Sequence, residues 1–110
     1  MIQIVNLRTF RQSGETMVYI GRRTRGRIGS PLGNPYKLAA FKSRESCIIA
    51  YEKWLRDALI NSSDVREEFE MLVRLAQAGD LYLACWCAPE FCHGDVVKRE
   101  IERRLAGGEK

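Results

Sequence analysis

Three of the four cysteines and the only histidine of this chain fall within nine residues of the stretch LACWCAPEFCHGDVV, residues 83–97. Thiolates and imidazole can ligate a metal, attack an electrophile or move a proton, and they can also simply pack. As a zinc site, Cys85, Cys87, Cys92 and His93 supply the donors of tetrahedral Cys/His ligation. The spacing fits less well, because alternate residues of a regular strand stand about 6.5 Å apart, Cys92 and His93 are adjacent, and no C-x-x-C pair occurs. As an anion site, the stretch offers the unpaired amides and positive dipole end of a helix beginning near Cys92-His93-Gly94-Asp95. A thiol at such a helix start is favoured as the thiolate. That makes Cys92 a candidate nucleophile and His93 its acid/base, with Asp95 orienting His93 or accepting from a ligand hydroxyl and Gly94 letting a ligand approach the backbone. In the third reading the cysteines are small buried hydrophobes and His93 is a satisfied capping residue. That one suits Cys85 and Cys47 best.

A second group with chemical potential is GRRTRGRIGSPLGNPYKL, residues 21–38. Arg22, Arg23, Arg25 and Arg27 could grip a phosphate bidentately, with Ser30, Gly33 and Asn34 adding donors. The plain alternative is an irregular loop whose arginines are solvated. Neither GxxxxGK[ST] nor GxGxxG occurs, so the familiar phosphate-binding loops are excluded. Tyr19, Tyr36 and Phe41 lie close enough in sequence to stack on bases, which keeps nucleic acid open as a partner.

The elements that must position these residues alternate between strand and helix. IQIVNL (2–7) and MVYIG (17–21) read as strands, and the intervening RQSGET, with Ser13 and Gly14, suits a hairpin. Residues 22–36 carry too much Gly and Pro for a long helix or strand. From Ser43, a suitable N-cap, the residues Cys47, Ile48, Tyr51, Trp54, Leu55 and Ala58 recur at helical spacing. Asn61-Ser62-Ser63 ends that helix and caps another, whose stripe Val65, Phe69, Leu72 and Ala76 stops at Gly79. LYLACWC (81–87) is a nearly continuous apolar run, the pattern of a central strand, with Cys85 and Cys87 on one face and Trp86 packed against a helix on the other. Pro89 turns the chain, and a last helix carries Val97, Ile101 and Leu105. The fold class expected is α/β, a single small three-layer domain over residues 1–110, with a mixed sheet of three to four strands flanked by helices.

Composition agrees with a folded soluble protein: 110 residues, 45% hydrophobic and 29% charged. No apolar run reaches the roughly 20 residues of a membrane span, and the N-terminus MIQIVNLRTF lacks a secretory cleavage site. A cytoplasmic location without membrane attachment is expected. In that reducing compartment clustered cysteines favour metal or catalytic roles over disulfides. The net charge of +4 conceals an asymmetry, since residues 1–42 hold eight Lys/Arg against Glu15 alone. Such a bias suits a phosphate-bearing or polyanionic partner.

VYIGR (18–22), SPLGNPY (30–36), AYEKWL (50–55) and LACWCAPEFCHGDVV (83–97) resemble the ordered motifs of the domain of unknown function 4326 family. The resemblance implies a fold unit and places its motifs on Asn34 and Pro35 in the loop and on Cys85, Cys87, Cys92, His93, Gly94 and Asp95 in the turn. It implies no activity. The Cys-His turn is more remotely similar to domain of unknown function 488, which carries Cys-His-Arg where this chain has Cys92-His93-Gly94. The functional expectation is one pocket, shared by the arginine loop and the Cys-His turn, for a phosphate-bearing, nucleotide-like small molecule. Arg22, Arg23, Ser30, Asn34 and Gly94 would bind it, Cys92, His93 and Asp95 would supply any thiolate chemistry, and no cofactor is required. The alternative is a nucleic-acid-binding module stabilised by zinc on Cys85, Cys87, Cys92 and His93.

Overall fold

A computed structural model describes residues 1–11, 13–24, 26–86 and 92–107. The strand β3, Leu81–Cys85, lies at the centre of a three-stranded sheet between β1, Ile2–Asn6, and β2, Thr16–Tyr19. Both neighbours run parallel to it, Ile2 and Thr16 opposite Leu81, and Ile4 and Val18 opposite Leu83. Because side chains alternate along a strand, this register puts Ile2, Ile4, Val18, Leu81 and Leu83 on one face. Leu81, Leu83 and Cys85 are buried on that face and Ala84 on the other, which is why the sequence of β3 reads as an uninterrupted apolar run.

The parallel pairing corrects two expectations. The sheet is not mixed, and β1 and β2 do not form a hairpin: they run the same way with β3 between them. The connection over residues 7–15 must therefore return across the sheet, and Phe10 stacks on Tyr82 of β3 with ring centroids 5.2 Å apart. Gly14 supplies the turn at φ 90°, a backbone region costly for other residues. Turn chemistry signals a reversal, but it does not say whether the two strands then pair with each other or with a third.

Three helices follow the periodicity closely. Helix α1, Arg44–Asn61, starts at Ser43, whose Oγ accepts from the Ser46 amide at 3.1 Å, and it buries Cys47, Ile48, Tyr51, Leu55 and Ala58. Helix α2, Ser63–Ala78, starts at Ser62 and buries Val65, Phe69, Leu72 and Val73. Helix α3, His93–Leu105, buries Val96, Val97 and Ile101. The helices pack on one another, and their buried side chains join Ile2, Ile20, Leu81 and Leu83 in one core. The α/β class expected from the sequence is the one observed, and Phe10 lies against Tyr82 on the sheet face opposite Leu81 and Leu83. Among the described residues, no helix is long and apolar enough to cross a membrane.

The glycine- and arginine-bearing loop between β2 and α1 is irregular but anchored. Leu32 is fully buried, and its carbonyl accepts from the Tyr51 hydroxyl of α1 at 2.6 Å. The Ser30 amide donates to the Gly21 carbonyl at 2.9 Å, and the Ser30 hydroxyl accepts from the Leu32 amide at 3.0 Å. A short 3-10 turn at Leu38–Ala40 leads into α1.

Candidate functional site

At the carboxyl ends of β2 and β3 the sheet opens into a cavity of about 170 Å³. In parallel α/β sheets this is the end where ligands sit, because the strand ends and the helix starts that follow them leave backbone groups uncommitted. The walls come from four places: Gly21, Arg22, Asn34 and Tyr36 in the loop, Arg44, Cys47 and Ile48 in the first turns of α1, Cys85 and Trp86 at the end of β3, and Cys92 with His93 at the start of α3. The lining holds two arginines and, among the described residues, no carboxylate.

The rim is set by hydrogen bonds that follow from the strand ends. The Ile20 amide donates to the Ala84 carbonyl at 3.0 Å, carrying the ladder one step past β2. The Tyr19 hydroxyl donates to the Arg22 carbonyl at 2.5 Å and accepts from Trp86 Nε1 at 3.1 Å. The Tyr19 ring thus folds over Gly21, where a Cβ would lie 2.5 Å from the Tyr19 hydroxyl. A larger residue there would displace the Tyr19 hydroxyl. Trp86 is 44% exposed and meets Tyr19 edge to face, rather than packing on a helix as the strand alternation suggested. Its carbonyl accepts from Asn6 Nδ2 at 3.1 Å.

The floor holds the thiols. Cys85 and Cys92, each 1% exposed, bring their sulfurs to 3.6 Å of one another. Cys47 is also buried, 3.7 Å from Asn34 Nδ2. Asn34 Oδ1 accepts from the Tyr36 amide at 2.9 Å, so the asparagine ties its own loop to α1 while lining the cavity. Tyr36 is held edge to face against Phe41, 5.7 Å between centroids. His93 is buried, with Nε2 2.8 Å from the Ile20 carbonyl and its ring edge to face with Tyr51. A carbonyl only accepts, so Nε2 carries the proton and donates. Burial, and then the neighbouring Cys92 charge, push the Tyr51 hydroxyl well above the usual tyrosine range, so that it stays a neutral donor to Leu32.

Of the residues singled out by sequence, Arg22, Asn34, Cys92, His93 and Cys85 therefore meet in one cavity. Four others stand elsewhere. Arg23 is exposed on the loop. The Ser30 hydroxyl is used by Leu32 and Glu68. The Asp95 carboxylate accepts from the Cys92 amide at 2.8 Å and so caps its own helix. Gly94 faces the sheet, where a Cβ would meet Ile4 at 3.1 Å and Ile20 at 3.3 Å, so its smallness serves helix–sheet contact. Cys87 and Arg25, and the turn at Pro89, lie outside the described residues. Among the described residues no group of three or more His, Cys, Asp or Glu is arranged to hold a metal ion.

Arg44 is the cavity residue that motif reading overlooks. Its signal was available: it directly follows the N-cap Ser43, so the loop that carries Arg22 also delivers the first turn of α1. No curated protein and no solved structure matches the chain. One family model does, described as Domain of unknown function (DUF4326), and since it spans residues 5–103 the chain belongs to that family.

Proposed function

We propose that the cavity binds a phosphate-bearing, nucleotide-like small molecule in the cytoplasm. The observation that carries this reading is the lining itself: Arg22 and Arg44, two helix starts and, among the described residues, no carboxylate, beside the two aromatic rings of Tyr36 and Trp86. Guanidinium groups bind phosphate through paired, charge-assisted hydrogen bonds, and helix starts add positive potential. Aromatic faces accept any base by stacking. With a water needing about 10–15 Å³ of such space, 170 Å³ accommodates a base or a sugar, and the phosphate is left at the rim with the arginines. On this reading Cys92 is the group placed to react with a bound ligand. Asp95 and His93 position it, the first through the Cys92 amide and the second through the Ile20 carbonyl.

Titration calorimetry with AMP, adenosine and inorganic phosphate tests the proposal, alongside a single-stranded oligonucleotide at low and high salt. The expected result is binding of AMP, weaker binding of adenosine, and a loss of roughly ten- to a hundredfold in AMP affinity for each of Arg22→Ala and Arg44→Ala, the range of one lost charge-assisted contact. Absence of AMP binding, or an affinity indifferent to both arginines, would overturn it. Oligonucleotide binding that collapses steeply with salt would put a nucleic-acid interface in its place.

A further inference from the structure

We infer that Cys85 and Cys92 form a dithiol site that hydrogen peroxide converts to an intramolecular disulfide. This inference is independent of the nucleotide reading. Two features of the fold carry it. The sulfurs are 3.6 Å apart, at van der Waals contact, although Cys85 ends a central strand and Cys92 precedes a helix. Both also line the cavity, so a molecule as small as a peroxide reaches them even though each residue is 1% exposed. The backbone of Cys92 is extended, φ −149° and ψ 179°, and its side chain takes part in the capping box with Asp95, so closure exchanges a weak sulfur contact at the helix start for a covalent bond. A disulfide needs the sulfurs at about 2.05 Å, about 1.5 Å closer than the 3.6 Å at which they stand.

The start of α3 favours the thiolate at Cys92 over Cys85, which is attached to a strand. The Cys92 thiolate attacks one peroxide oxygen, the O–O bond breaks, and hydroxide departs to be protonated to water, leaving a sulfenic acid on Cys92. The Cys85 sulfur, giving up its proton, attacks the Cys92 sulfur and expels the hydroxyl group, which leaves as a second water. Two thiols are oxidised by two electrons to one disulfide while one peroxide is reduced to two waters. In a reducing compartment the bond is reversed by a thiol reductant, as befits a transient rather than a structural disulfide. The link would tie the end of β3 to the start of α3 and close the floor of the cavity.

The test treats the reduced, folded protein with one equivalent of hydrogen peroxide, then maps disulfides by peptide mass spectrometry and counts thiols. The expected result is loss of two thiols per chain, a linked peptide joining Cys85 to Cys92, and recovery of both thiols with dithiothreitol. The linked peptide should form before Cys47 is oxidised. In Cys85→Ala the sulfenic acid at Cys92 should persist and be trapped by dimedone, and Cys47→Ser and Cys87→Ser should leave the linked peptide unchanged. The wild-type map stands whether or not the variants fold. A disulfide through Cys87, a link between chains, or a Cys85–Cys92 pair oxidised no faster than Cys47 would overturn the inference.

Discussion

Tyr51 shows how one buried polar atom can decide the fate of a loop. Its hydroxyl is the donor that satisfies the Leu32 carbonyl, and its ring is the surface against which His93 rests. The raised pKa is a statement about stability. Below about pH 10 the residue is neutral in both the folded and the unfolded chain, so the contribution of the hydrogen bond is intact. Above it, the unfolded chain loses the tyrosine proton while the folded one keeps it, so stability falls as pH rises. Thermal melts from pH 7 to 11 should show the wild type losing stability above about pH 10 more steeply than Tyr51→Phe. At neutral pH the variant should be less stable by about 1–3 kcal/mol, the cost of leaving Leu32 with a buried unpaired acceptor. Melting curves that fall in parallel would show that Tyr51 ionises as readily in the fold as out of it.

At the scale of elements, helix α3 matters because it delivers Cys92 and His93 to the cavity while pressing against the sheet. Gly94 sits tightly against the sheet, where a Cβ would stand 3.1 Å from Ile4 and 3.3 Å from Ile20, closer than ordinary contact. Gly94→Ala gains helix propensity of about 1 kcal/mol but overpacks a contact that typically costs about 1–3 kcal/mol. The variant should unfold at lower urea concentration. Were Gly94 instead a seat for ligand backbone contact, the substitution would weaken AMP binding and leave the urea midpoint unchanged. The helix starts themselves were legible in advance: Ser43 and Ser62 cap α1 and α2, and Cys92 stands immediately before α3, because capping is chemistry between residues two or three apart. Arg44 inherits its place in the cavity from such a start.

Across the whole molecule, the sheet is a device that closes late. β1 and β2 touch β3 and not each other, and β3 lies near the other end of the chain, so Ile2 and Thr16 both wait for Leu81. A fragment of residues 1–80 lacks the only strand that pairs with either edge among the described residues. It should show no cooperative thermal transition by circular dichroism, and its Ile2–Asn6 amides should exchange freely with solvent. A cooperative melt in that fragment would mean that β1 and β2 can pair on their own. The same long-range closure assembles the cavity, since its walls come from residues 21, 44, 85 and 92 and their neighbours.

The sequence alone determined the α/β class, three helices with the capping residues of the first two, three strands with the central one identified, and the clustering of thiols and imidazole where a strand gives way to a helix. These are local matters, written in periodicities of two and 3.6 and in short-range capping chemistry. Only the tertiary structure decided that the strands are parallel, that the sulfurs of Cys85 and Cys92 meet, that His93 is held by Ile20, that Asp95 and Gly94 serve helix α3, and that Arg44 joins Arg22. Each of those depends on the packing of segments far apart in the chain, and no local pattern specifies which surface a buried face will meet.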